Sequence, residues 1–114
     1  MVDDEPTILE LGARILRQNG YVVLQAGTYE EALALATSND FQLLLTDSVM
    51  PRMSGYSLAE LIEGIRPGHE VLYMSGYSKG AMDPHRVLSD ELAFLQKPFN
   101  RVTLLEKVHA ALGR

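Results

Sequence analysis

Cysteine is missing from all 114 residues, which excludes a disulfide framework and a thiolate metal site and fits a cytoplasmic protein. Long hydrophobic runs are missing too. The apolar stretches last a few residues, against the roughly 20 needed to cross a bilayer, and no basic segment with an apolar core behind it opens the chain. Contact with a membrane is therefore not expected. Ten basic residues face 15 acidic ones, a formal charge of -5, and the Lys and Arg residues form no cluster able to follow a phosphate backbone. Direct nucleic-acid binding is not expected either. There is no internal repeat or low-complexity segment. What is present, 46% hydrophobic residues in 114, suits one domain around one core, spanning residues 1–114.

Apolar spacing divides the chain into alternating strands and amphipathic helices. Leu9, Leu11, Ile15 and Leu16 recur at helical spacing, with Pro6 suited to a first turn and Gly20 to a stop, which predicts the first helix. Tyr21 to Ala26 is β-branched and aromatic and predicts a strand, and Thr28 with Glu31 forms a capping box for a helix through Leu33 and Ala36. Phe41 to Thr46 is almost continuously apolar, as in a strand buried on both faces. Leu58, Leu61, Ile62 and Ile65 then stripe a third helix, ended by Pro67-Gly68. Val71 to Met74 and Ala93 to Gln96 read as the fourth and fifth strands. The last helix is capped by Asn100, with Val102, Leu105, Val108 and Leu112 inward. Gly76, Gly80 and Pro84 interrupt Tyr77 to Glu91, so the fourth helix is expected to be short or irregular. Strand and helix in alternation imply a parallel sheet covered on both faces. Its first strand is curtailed, because only Met1 and Val2 precede Asp3.

Ligands of such sheets bind beyond the carboxyl ends of the strands. The predicted strands end in Asp3-Asp4, Asp47, Ser75 and Lys97, so four of five deliver a charged or hydroxyl group to one rim. Three carboxylates brought together repel, and a hard divalent cation relieves this, with Mg2+ the natural candidate. Asp4 and Asp47 would hold it, Asp3 would act through water, and the Val49 carbonyl would complete the set. A carboxylate can attack phosphorus to give an acyl phosphate, helped by in-line positioning and charge neutralisation. Asp47 is the candidate nucleophile and Lys97 the second cation. Ser75 can hydrogen-bond a phosphoryl oxygen only once one arrives, which is what a switch requires. Taken singly, each residue has a plainer reading: helix-start acids for Asp3 and Asp4, a turn residue for Asp47, a solvated lysine for Lys97, a core ring for Phe94. His69, His85 and His109 lack metal spacing and read as surface residues.

The motifs Val2-Asp3-Asp4-Glu5-Pro6, Thr46-Asp47-Ser48-Val49-Met50-Pro51 with Ser54-Gly55, Met74-Ser75-Gly76-Tyr77 and Lys97-Pro98-Phe99 stand in order and span the chain. Together they resemble the receiver domains of response regulators. The resemblance implies a flavodoxin-like, doubly wound α/β fold with five parallel strands in order 2-1-3-4-5. It implies a two-component phosphorelay in which Asp47 takes a phosphoryl group from the histidine of a kinase or phosphotransfer domain and helps catalyse its own phosphorylation and dephosphorylation. It also implies a cis Lys97-Pro98 peptide, Phe94 as a switch aromatic acting with Ser75, and an output face made of the fourth helix, fifth strand and fifth helix, where a homodimer could form. The wording around Tyr73 to Tyr77 and Phe94 to Phe99 is similar to receivers of hybrid histidine kinases. One rival is a Mg-dependent aspartyl-phosphate phosphatase, but Val49 stands where such enzymes carry a second acid, and the length leaves no cap domain. The other is a receiver-shaped binding module that accepts no phosphate, which fold alone does not exclude.

Overall fold

The computed structural model describes residues 1–75 and 93–113. Two of the apolar runs lie side by side as β1 (Leu43–Asp47) and β2 (Glu70–Ser75), parallel, with Leu43 opposite Glu70 and Asp47 opposite Met74. β3 (Ala93–Gln96) pairs in parallel with the other edge of β2, from Leu72 opposite Ala93 to Ser75 opposite Gln96. The curtailed first strand is a single residue wide but seated on both sides. Val2 bridges Thr46 and Ala26, both in parallel. The Val2 N–H donates to Leu45 O at 2.8 Å and the Asp47 N–H to Val2 O at 3.0 Å, while the Asp3 N–H donates to Ala26 O at 3.1 Å. This gives the lateral order 2-1-3-4-5 of a flavodoxin-like doubly wound sheet.

Period-two alternation sends the strand side chains into two cores. Leu44 and Tyr73 join Ala32, Ala36, Leu58 and Ile62 on one face. Leu45, Leu72, Met74 and Leu95 join Ile15, Leu16, Leu104 and Val108 on the other. The first face belongs to α2 (Tyr29–Ser38) and α3 (Gly55–Ile65), the second to α1 (Pro6–Gln18) and α4 (Arg101–Ala111), the fifth helix of the sequence reading.

The helix boundaries follow local chemistry. Pro6 opens α1 and Gly20, at φ 89°, follows its end. Thr28 Oγ1 accepts from the Glu31 N–H at 3.2 Å, and Glu31 returns the bond to the Gly27 N–H at 2.9 Å. Asn100 and Thr103 cap α4 reciprocally. At the far end of the sheet Arg66 terminates α3, and its guanidinium donates to Ala36 O at 2.9 Å, Thr37 O at 3.2 Å and Asp40 Oδ1 at 2.6 Å.

Several expectations need correction. Tyr21 to Ala26 forms no strand: within it only Ala26 forms a β-bridge, to Val2. In α4 the buried row is Leu104 and Val108, four apart, and Val102 is 59% exposed. Leu11, Leu61 and Ile65 are likewise exposed at the margins of their stripes. The His69 ring is 2% exposed, tilted against Phe41 with centroids 5.0 Å apart. Its Nδ1 lies 3.0 Å from Arg66 O and 3.3 Å from Glu63, so Nδ1 carries the proton. His109 is exposed. The fourth helix, His85 and Tyr77 lie outside the described residues.

Candidate functional site

The short first strand positions the acids. Because Val2 and Asp3 are hydrogen-bonded to β1 on one side and to Ala26 on the other, Asp3 and Asp4 emerge beside Asp47, the last residue of β1. Carboxylate oxygens of Asp3, Asp4 and Asp47 all lie within 4.8 Å of one another, with Asp3 and Asp47 buried and Asp4 exposed. Ser75 ends β2 and is buried. The Lys97 N–H donates to Ser75 O at 2.7 Å, which carries the ladder one residue past β3 and turns Lys97 inward. The Lys97–Pro98 peptide is cis.

Lys97 is the hub. Its side chain is 9% exposed, and Nζ lies 2.7 Å from Asp3 Oδ2 and donates to Asp47 Oδ2 at 3.1 Å. The approach to Asp3 is oblique, an ion pair rather than an aligned hydrogen bond, so Oδ2 of this fully buried residue has no aligned donor among the described residues. Asp3 Oδ1 accepts from the Glu5 N–H at 2.9 Å, and Asp47 Oδ1 from the Val49 N–H at 3.4 Å. Burial pushes the Asp47 carboxyl above its ordinary value. The negative charge of Asp3 adds to this, and Lys97 opposes it without cancelling it. For Lys97, burial acts downward and is the largest single influence, but the contacts with Asp3 and Asp47 together outweigh it and hold the ammonium above its usual range. With the Asp3 carboxylate 2.7 Å away, the proton stays on Lys97.

The donor set suits a hard cation. Three carboxylates share one small volume, one lysine leaves them with a net negative charge, and a buried oxygen lacks an aligned partner. Val49 follows Asp47 by two residues at the mouth, its side chain exposed. Phe94 lies on β3 with its ring 5.8 Å from that of Tyr73, which stands 4.6 Å from Tyr56 on α3, so a row of three rings runs from the β3 edge to the start of α3.

Sequence reasoning gave no role to Gly55. A Cβ there would collide with the carbonyl oxygen of Asp47, so the first turn of α3 rests on the backbone of the acid itself. The Gly55 N–H donates to Ser48 O at 3.0 Å. The adjacent Ser54-Gly55 pair was the available signal, since a cap residue followed by glycine marks a helix start in tight contact.

Known proteins share this fold. The model of the response regulator receiver domain matches residues 1–109. The chain is 29% identical, over its full length, to the sensor kinase CckA of Brucella abortus (strain 2308), of which it spans 12%. In structure it is similar to the receiver domain of the hybrid histidine kinase CckA, with a TM-score of 0.81 and 35% identity over 97% of this chain and 94% of that one. It is also similar to a CheY-like receiver domain protein from Methanospirillum hungatei JF-1, with a TM-score of 0.82 and 34% identity over 98% and 90% of the two chains. The likeness to hybrid-kinase receivers read in the C-terminal motifs thus has a solved counterpart.

Proposed function

The chain belongs to the response regulator receiver domain family, and from that premise we propose that residues 1–114 work as one phosphoacceptor unit of a two-component phosphorelay, with Asp47 taking the phosphoryl group. The donor is the phosphohistidine of a kinase or histidine phosphotransfer domain. An Asp47 carboxylate oxygen bonds to phosphorus as the P–N bond breaks, and the electron pair leaves with the imidazole, which takes up a proton. The observation that carries this reading is the placement of Lys97 Nζ between Asp3 and Asp47, with Asp4 in the same cluster. These groups come from three separated parts of the chain.

Mg2+ would be held by Asp4 and Asp47, with Asp3 acting through water and the Val49 carbonyl completing the set, and it would supply neutralisation of phosphoryl charge. The other roles fall to the chain itself. Lys97 keeps its proton and pairs with the phosphoryl oxygens. Asp3 holds Lys97 on that side of the site. Ser75 turns its hydroxyl to the new oxygen, and Phe94 follows into the space vacated, which changes the surface formed by β3 and α4. The same residues speed loss of the group to water. The reading needs no substrate pocket and makes the domain an acceptor rather than an enzyme with turnover.

The test is to incubate the chain with Mg2+ and acetyl phosphate and weigh it intact. A gain of one phosphoryl group is expected for the parent and none for Asp47→Asn. Equal modification of the two would sink the assignment.

A further inference from the structure

Ser48, the residue after Asp47, is 2% exposed, and among the described residues its hydroxyl has no hydrogen-bond partner. Buried polar groups are nearly always hydrogen-bonded, so the exception calls for a reason. The hydroxyl two residues earlier in β1 is satisfied, since Thr46 Oγ1 donates to Asp47 O at 3.1 Å. The backbone of Ser48 is satisfied too. Its N–H donates to Met74 O at 2.9 Å, and its carbonyl accepts from the Gly55 N–H at 3.0 Å. The first turn of α3 also lies against it, because a Cβ on Gly55 would come within 3.0 Å of Ser48 Cα. The main chain is thus pinned between β2 and α3, and rotation about χ1 is the freedom left to the hydroxyl.

The strand register supplies a partner for it. β1 and β2 pair as far as Asp47 opposite Met74, and the bond from the Ser48 N–H to Met74 O carries the parallel ladder one step on, which sets Ser48 beside Ser75. By alternation both side chains fall on the face where Leu44 and Tyr73 meet α2 and α3. Neighbouring strands lie roughly 4.8 Å apart, so two serine hydroxyls side by side come within hydrogen-bond reach on rotation. A Ser75 hydroxyl that turns to a phosphoryl oxygen on Asp47 turns toward β1, the strand that also carries Ser48.

We propose that Ser48 is a positioning residue of the phosphorylated state, its O–H donating to Ser75 Oγ once Ser75 has turned its own hydrogen to the phosphoryl group. The inference rests on the phosphoacceptor reading above. The bonds run in one direction, from Ser48 to Ser75 to the phosphoryl oxygen, and no proton leaves either serine. A hydroxyl that donates to an anion is a stronger acceptor at its own oxygen, so each bond reinforces the other. In the free chain the Ser48 hydroxyl is buried without a partner, and in the phosphorylated chain it gains one. That difference favours the occupied site.

The experiment uses the chain of residues 1–114 with Mg2+ and beryllium trifluoride, an anion that binds a carboxylate as a phosphoryl group does, and reads affinity by titration calorimetry and stability by thermal melts. Ser48→Ala is expected to raise the melting temperature of the free chain by about 4 °C, because an unpaired buried hydroxyl is gone. The same substitution is expected to weaken trifluoride binding about tenfold. In a Ser75→Ala background it should change the affinity by no more than about twofold, since the acceptor is already missing. A role in packing alone would shift free and bound chains together and would act with or without the Ser75 hydroxyl. Parental affinity in Ser48→Ala would overturn the proposal, as would a loss of the same size in the Ser75→Ala background. A free Ser48→Ala that melts below the parent would overturn it as well, because the hydroxyl would then have a partner before any anion arrives. Intact mass after acetyl phosphate keeps the two readings apart: a phosphorylated parent with unchanged trifluoride binding in Ser48→Ala sinks this inference alone, whereas a parent that gains no phosphoryl group sinks both.

Discussion

Replacing Lys97 with methionine keeps most of the side-chain volume and removes the one charge that sits between two buried acids. Nζ is 2.7 Å from Asp3 and 3.1 Å from Asp47, and all three side chains are 9% exposed or less. Removing one partner of a buried ion pair costs about 3–5 kcal/mol, because the desolvation of the other partner is no longer offset. A second estimate agrees. Two carboxylates 4.8 Å apart at most repel by about 3 kcal/mol at an effective dielectric of about 20. At this chain length a loss of 3 kcal/mol lowers the melting temperature by roughly 10 °C. The assay is urea and thermal unfolding of Lys97→Met and the parent in EDTA at pH 7, followed by Mg2+ titration. The loss is expected to shrink toward pH 4, where Asp47, already raised by burial, takes a proton. Mg2+ is expected to restore more stability to the variant than it adds to the parent, since no lysine remains to neutralise the acids. A variant within 1 kcal/mol of the parent in EDTA (against the 3–5 kcal/mol expected) would refute the reasoning.

Three further outcomes are expected. The folded-state pKa of Asp47 lies above its ordinary 3.8, so its contribution to stability is complete below 3.8 and is lost as pH rises through the folded value. Metal-free Asp47→Asn should therefore out-melt the parent at pH 7 and match it near pH 4; an advantage independent of pH would contradict this. The Met1 ammonium is lowered from 8.0 to about 6, so its contribution is complete above pH 8 and is lost as pH falls through about 6, by up to about 3 kcal/mol. Nα-acetylation should remove that dependence in thermal melts between pH 5 and 8.5. Gly55→Ala places a methyl group against the Asp47 carbonyl and should cost about 1–3 kcal/mol in urea unfolding, whereas Gly64→Ala, with open space around it, should not destabilise.

The site was legible in the sequence because strand ends are legible. An apolar run closing in Asp47, and another in Met74-Ser75, say where a buried strand meets the rim, and parallel pairing then brings the rims together. The caps at Thr28 and Asn100 were equally plain, since an N-cap is a local contact between residues three apart. The misses share one cause, which is that they depend on a second element. Tyr21 to Ala26 has the composition of a strand, but a strand exists only against a partner, and only Ala26 finds one. Val102 and Leu104 are both apolar; which one faces inward depends on how α4 sits on β2 and β3, and that placement lies in the packing. The imidazole of His69 is enclosed by Phe41, Arg66 and Glu63, groups that meet only when the start of β1 lies beside the start of β2.

Arg66 bears on the geometry at Asp47 from the other end of the molecule. Its own N–H closes the last turn of α3, and its planar fork takes two carbonyls of the last turn of α2 and the carboxylate of Asp40. The two helices share a core that includes Ala32, Ala36, Leu58, Ala59 and Ile62, and this one guanidinium joins their last turns by hydrogen bonds. Because Asp40 stands two residues before Gln42, whose carbonyl takes the first bond from β2, the same clasp also sets where β1 begins, and so where it ends. The acid at the rim inherits its alignment from a hinge pin at the foot of the sheet.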